Sequence, residues 1–253
     1  MHTTPPQPAW AEHITDDDCG QRATFMVDGE LYAMRWIPPG QFMMGSPLKE
    51  KNRHHTETLH EVILTSGFWM GETTVTQSQW VALMGDNPSR AKDPQCPVDT
   101  LSWDDCHRFL DRLNSSAPGL EARMPTEAQW EYACRAGTAT LYWCGHTVKA
   151  LKTTAWFMRN CRGIAHPVGL KEANPWGLYD MHGNVKEWCH DFFEDYPEGI
   201  VTDPTGPTQG YSRVLRGGCW MGEPHEVRSA SRKGYGADDP GFGDRGLRLV
   251  TPA

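Results

Sequence analysis

From Thr138 to the C-terminal Ala253 the sequence carries hardly a helical signal: short apolar runs alternate with Gly, Pro and Trp. Long irregular segments are unusual inside a compact domain, and they tend to be where binding or catalysis sits. The 25 Gly, 19 Pro and 11 Trp explain how such a chain can still fold. Gly and Pro punctuate short elements, and Trp fills the space between loops that have few aliphatic residues to bury. With 253 residues and a hydrophobic fraction of 38%, a core is attainable but much of the chain is loop. The expected class is an irregular, aromatic-rich α+β fold.

The first half is more regular. In "ATFMVDGELYAMRWI", Asp28-Gly29 separates two alternating apolar runs, a strong hairpin signal. A turn and short strand follow in "PPGQFMMGSP", then a strand at about His60–Thr65. Three helices announce themselves by their caps. Thr76 with Gln79 opens one that Gly85 closes; Ser102, with Asp104 and Asp105 in the first turn, opens the second; Thr126 with Gln129 opens the third, stopped at Gly137. Residues 1–23, Pro-rich and then acidic, read as a mobile or extended lead-in to a single domain at 24–253.

The net charge of −8, with no block rich in Lys and Arg, argues against nucleic acid as a partner. No stretch approaches eighteen uninterrupted apolar residues, so no membrane association is expected. The N-terminus lacks the basic start and apolar run of an export signal, which makes a cytoplasmic protein the expectation. The eight cysteines are spread singly, without a CxxC, and read as small core residues of a reducing compartment.

Three blocks stand in order: "RMPTEAQWEYACRAG" (123–137), "NPWGLYDMHGNVKEWCHD" (174–191) and "RVLRGGCW…RSASR…GLRLV" (213–250). With "FMMGSP", "TVTQSQW" and "LSWDDC", they resemble the formylglycine-generating-enzyme-like, or sulfatase-modifying-factor, family over roughly Thr24–Val250. The resemblance implies a variant of the C-type-lectin fold, with small antiparallel sheets, a few helices and extensive ordered loops. It also implies at least three functional branches: copper-dependent oxidases that make formylglycine, iron-dependent sulfoxide synthases of the ergothioneine type, and noncatalytic binding proteins that include the variable proteins of diversity-generating retroelements.

The oxidase branch needs two cysteine thiolates five residues apart, because soft thiolates hold Cu(I). The corresponding positions here are Gly222 and Val227, neither of which can ligate copper, and Cys219 stands three residues earlier where the family usually has Ser. The synthase branch takes iron ligands from a separate helical-bundle domain for which there is no room before Thr24, and the eleven histidines form no HxxxH on a credible helix. Neither copper nor iron is expected. A structural Ca²⁺ is the metal the resemblance supports, with Asp180 and Glu187 as carboxylates and Gly183 and Val185 supplying backbone oxygens; Asn184 and Glu187 simply satisfying buried backbone groups is the alternative. Arg216, Arg228 and Arg248 read as ties to loop carbonyls rather than as anion ligands, and Lys186, where the resemblance implies Trp, reads as exposing a position normally covered.

The expected function is therefore a noncatalytic, lectin-like module that binds a protein or other macromolecular ligand, as the resemblance to variable proteins implies. Its surface would be the 220–244 segment: Trp220, Met221, Glu223, His225, Glu226, Ser231, Lys233, Tyr235, Asp238, Asp239, Phe242 and Asp244, aromatic and polar groups set among Gly and Pro as in antibody paratopes. Two alternatives stay open. One is an enzyme with a non-standard centre at Cys219, His225 and Glu223 or Glu226; the other is an adaptor subunit of an effector system.

Overall fold

The computed structural model describes residues 7–253. Its strands are β1 (His13–Asp17), β2 (Gly20–Val27), β3 (Glu30–Ile37), β4 (Gly40–Met44), β5 (His60–Leu64), β6 (Phe68–Gly71), β7 (Lys186–Phe192), β8 (Ile200–Thr202), β9 (Arg213–Arg216), β10 (Arg232–Tyr235), β11 (Arg245–Gly246) and β12 (Val250–Pro252). They form three small sheets, ordered β1-β2-β3-β6-β12, β10-β9-β7-β11 and β4-β5-β8, mostly antiparallel. Between β6 and β7 lie α1 (Gln77–Met84), α2 (Trp103–Ser116), α3 (Glu127–Arg135) and α4 (Val148–Thr154). The architecture is α+β, as expected.

Local signals place these elements where the sequence puts them. Val27 pairs with Glu30 across Asp28 (φ 49°) and Gly29 (φ 81°), so both turn residues are left-handed, the backbone that matches strand twist in a two-residue hairpin. Thr76, Ser102 and Thr126 each cap a helix with a reciprocal capping box. The third helix ends one residue before Gly137, at Ala136 in the left-handed region. Helix α4, opened by the Thr147 hydroxyl, carries no such box and has no counterpart among the sequence expectations.

The N-terminal lead-in needs correction. Strand β1 pairs with β2 along its whole length, and Trp10 packs edge-on against Phe25 and Trp69 at ring distances of 5.4 and 5.7 Å. Burying an indole against two aromatics outweighs the ordering entropy of a short polar strand. The part of the lead-in before residue 7 lies outside the described residues.

Two large aromatic-rich clusters make the core, one under the first sheet around Trp69, Trp188 and Phe109, the other around Trp130, Phe68 and Met181. What fixes the loops over them is a set of buried arginines. Arg216 donates to the carbonyls of Ser229, Ala230 and Ser231 and pairs with Glu131. Arg232 grips Glu127 at 2.6 and 2.8 Å and reaches the Glu194 carbonyl at 2.7 Å. Arg228 takes Glu57 in a two-bond fork, pairs with Glu50, and donates to the carbonyl of Asn52. Arg248 grips Glu187 at 2.7 and 2.9 Å and the carbonyls of Gly71 and Tyr179 at 2.8 Å each. Burial alone would raise the Glu127 and Glu57 carboxyls, but the facing guanidiniums hold both below their ordinary value. The reading of Arg216, Arg228 and Arg248 as loop ties accords with this geometry.

Removing one partner of a buried pair strands the other charge. Arg216→Met should thus cost about 3–5 kcal/mol in denaturant unfolding, whereas Arg162→Met, at an exposed position, should change stability by less than about 0.5 kcal/mol.

Candidate functional site

Strand β9 runs into Gly217 and Gly218, both left-handed (φ 84° and 69°), which turn the chain into the C-terminal loops. A Cβ on Gly218 would lie 2.6 Å from Val227 Cγ1 and 2.8 Å from the Glu226 carbonyl, so only glycine allows this approach. The turn forms one wall of a cleft of about 210 Å³, lined by Lys186, Cys219, Met221, Glu226, Ser231 and Lys233, with Leu215, Gly218 and Gly222 as floor. The two positions matched to oxidase thiolates are brought together: a Cβ on Gly222 would sit 3.4 Å from Val227 Cγ1. One offers the cleft backbone only, and the other is a fully buried aliphatic side chain.

The cleft's charge is arranged around Lys186, which binds Asp244 at 2.6 Å. Burial opposes its charge, but the anionic form of Cys219 and the Asp244 carboxylate outweigh that and hold Lys186 above the usual lysine value. Cys219 is buried, and desolvation pushes its thiol up despite the lysine beside it. Sequence reasoning gives Lys186 no part in a site; its appearance in place of Trp is the signal that it faces the cleft.

The structure divides the residues expected on the 220–244 surface. Met221, Glu226, Ser231 and Lys233 share the cleft. His225, Asp238 and Phe242 are exposed outside its lining, and half-buried Tyr235 stacks under Arg245 at 4.0 Å. Glu223 pairs with Arg159 at 3.0 Å, and Asp239 with Arg245 at 3.0 Å. Three residues are corrected: Trp220, Ser231 and Asp244 are buried rather than presented. Trp220 Nε1 donates to the Gly243 carbonyl at 2.6 Å, and Asp244 is held by Lys186 while accepting the Phe242 N–H at 2.9 Å. The non-standard catalytic centre finds no support in these contacts. Glu226 accepts the Glu223 N–H, Glu223 is held by Arg159, and no hydrogen bond joins His225 to Cys219 among the described residues.

The turn before β7 holds the other candidate group. Asn184 binds both the N–H and the carbonyl of His166 through its amide, and its own carbonyl accepts the Trp220 N–H. Glu187 is fully buried; Oε2 takes bonds from Trp130 and Arg248, whereas Oε1 takes one, from Arg248 Nη2. Asp180 is left-handed (φ 56°), and its Oδ2 accepts the Gly169 N–H at 2.9 Å. Its Oδ1 is buried without any hydrogen-bond partner. Desolvation, with Glu187 adding repulsion, raises this carboxyl to about 6. Asp180 thus keeps one buried carboxylate oxygen without a partner, while both oxygens of Glu187 are taken by Arg248 and Trp130.

A family model described as the sulfatase-modifying factor enzyme 1-like domain matches residues 22–253. The chain belongs to this family. Among curated relatives of the family domain, the serine/threonine-protein kinase pkn1 of Chlamydia caviae is 33% identical over 79% of this chain and 35% of its own length. The formylglycine-generating enzyme of Streptomyces coelicolor is 33% identical over 63% of this chain and 54% of its own. The chain thus spans about a third of the one and about half of the other. Among solved structures, Treponema denticola variable protein 1 superposes with a TM-score of 0.82 at 27% identity, covering 92% of this chain and 99% of that one. PvdO from Pseudomonas aeruginosa, at 23% identity and a TM-score of 0.80 over 96% and 99%, shares the fold. The domain therefore has the formylglycine-generating-enzyme-type, C-type-lectin-like α+β fold.

A buried thiol with a raised pKa is a slow nucleophile at neutral pH. In timed alkylation with iodoacetamide followed by peptide mass spectrometry, Cys19, which is partly exposed, should be modified well before Cys219. Preferential labelling of Cys219 would instead favour a reactive centre there.

Proposed function

We propose that this domain is a noncatalytic, lectin-like binding module, and that it recognises a protein or other macromolecular ligand through the cleft at Met221, Glu226 and Lys233 and the exposed loops beside it. The observation that carries the reading is the pairing of Gly222 with Val227: the two positions at which the oxidase branch needs thiolates lie so close that a Cβ on Gly222 would sit 3.4 Å from Val227 Cγ1, and neither supplies a copper ligand. The likeness to Treponema denticola variable protein 1 over nearly its whole length supports the same branch. A platform tied down by buried arginines can carry substitutions on its loops without unfolding, which is what an adaptable recognition surface requires.

Two measurements test this. The purified chain should neither take up Cu(I) stoichiometrically nor convert the cysteine of a sulfatase-type peptide to formylglycine in the presence of copper and oxygen, as read by mass spectrometry. The double variant Gly222→Cys/Val227→Cys should gain Cu(I) binding, because the two positions lie this close. Formylglycine made by the parent would overturn the reading. On peptide and glycan arrays, ligands of the parent should be lost on Phe242→Ala and Lys233→Glu, both at exposed positions, with the thermal midpoint nearly unchanged, since interface anchors carry about 2 kcal/mol or more while exposed changes cost folding less than about 0.5 kcal/mol. Array ligands that survive both substitutions would place recognition elsewhere.

On the same reading, Asp180, Gly183, Val185 and Glu187 would hold a structural calcium ion, which supplies positive charge to a turn that buries two carboxylates. Without the ion, Asp180 has a folded-state pKa of about 6 against an ordinary 3.8. Its contribution to stability is then full below pH 4 and is lost as pH rises through 6. In chelator, Asp180→Asn should match the parent near pH 4 and exceed it at pH 7 by roughly 3 kcal/mol. In millimolar calcium the order should reverse, because the ion binds only the native parent. A parent melting temperature that is identical in chelator and in calcium would count against the ion.

A further inference from the structure

We propose a second binding site, for a small organic carboxylate with an apolar body, in the cleft between β6, the start of α3 and the segment 203–205, with Arg123 as the group that receives the carboxylate. This cleft encloses about 600 Å³, within the usual range for small-molecule sites, and shares no lining residue with the one at Cys219. Its walls are of two kinds. Leu64, Phe68, Pro204 and Pro252 supply apolar surface, while Arg123, Gln129 and His190 supply polar groups.

Arg123 differs from the arginines that tie the loops. Arg216, Arg228, Arg232 and Arg248 are all ion-paired, but Arg123 has no carboxylate within 4.0 Å among the described residues. Among the described residues only its Nη1 is engaged, donating to Gln129 Oε1 at 2.9 Å and to the Met124 carbonyl at 3.3 Å. Nε and Nη2 remain, the two adjacent donors that a carboxylate takes in a fork. Behind the wall Arg213 donates to the His190 carbonyl at 2.7 Å, stacks on Phe192 at 3.4 Å and leaves a buried Nε without a partner.

Two arginines and a histidine are thus gathered with no carboxylate within 4.0 Å of either guanidinium among the described residues, in a chain whose net charge is −8. Two acidic side chains nearby are committed. Asp203 lines the cleft but accepts both the N–H and the hydroxyl of Thr65. Asp191 is buried, accepts the Glu127 N–H, and is raised to about 7 by desolvation and by Glu127. Burial depresses Arg123 and Arg213, and burial together with Arg213, His107 and Arg123 depresses His190. An entering carboxylate relieves Arg123 and His190, which line the cleft, and the apolar surface receives what is attached to it.

The probes are 4-phenylbutyrate and its neutral amide, titrated calorimetrically into the full chain. The carboxylate should bind saturably and the amide about tenfold or more weakly, the difference expected for a charge-assisted fork. Arg123→Gln should abolish that preference, Arg123→Lys should keep part of it, and Thr205→Trp, at an exposed position of the cleft, should block both probes without touching the arginine. Lys233→Glu, in the other cleft, should leave binding intact. Equal binding of acid and amide, unchanged affinity in Arg123→Gln, or no saturable binding of the acid at millimolar concentration overturns the proposal.

Discussion

A guanidinium group buried against a carboxylate and two or three backbone carbonyls is the interaction on which this molecule depends. Long loops cannot be buried unless their polar backbone is satisfied, and here there is too little sheet to satisfy it. Each arginine does what a stretch of strand would do elsewhere. Arg216 collects three successive carbonyls at 229–231, and Arg248 joins Gly71, Tyr179 and Glu187, which are far apart in sequence. The charge itself is costly to bury, which is why each tie is anchored by a carboxylate: Glu127 and Glu131 from α3, Glu187 from β7, and Glu57 from the loop before β5.

That arrangement separates two tasks along the same stretch of chain. Between Arg216 and Arg248, side chains alternate between those that fasten the loop and those left facing outward. Trp220 and Asp244 fasten the segment, through the Gly243 carbonyl and Lys186, while Met221, Glu226 and Lys233 line open space. The cleft is therefore a by-product of the fastening, and Lys186 both lines it and helps to hold its shape. Arg123, an arginine without an anchor, stands out against this pattern for the same physical reason.

Much of the first half is legible in the sequence because its signals are local. Asp28-Gly29 dictates a tight hairpin, and Thr76, Ser102 and Thr126 with their partners three residues on dictate helix starts, whatever surrounds them. The family motifs carry the fold of the second half, where periodicity is silent. Burial within 220–244 is not legible, because whether Trp220 or Asp244 faces solvent is decided by Gly243 and Lys186, partners supplied by the tertiary fold. The strand at His13–Asp17 escapes sequence reasoning since it is polar, and what orders it is Trp10 finding Phe25 and Trp69. The ligand cleft of Arg123 has no sequence signal at all: an unpaired arginine looks like any other until its neighbours are known.

Native-state hydrogen exchange resolved by peptide mass spectrometry tests the tie-down account most directly. Segments that arginines hold, 226–232 and 179–187, should exchange only with global unfolding, although only part of each is strand. The segment 236–242, which carries exposed Asp238 and Phe242, should open locally and exchange faster. Fast local exchange at 226–231 in the native protein, comparable to that at 236–242, would contradict the claim that buried arginines stand in for missing sheet.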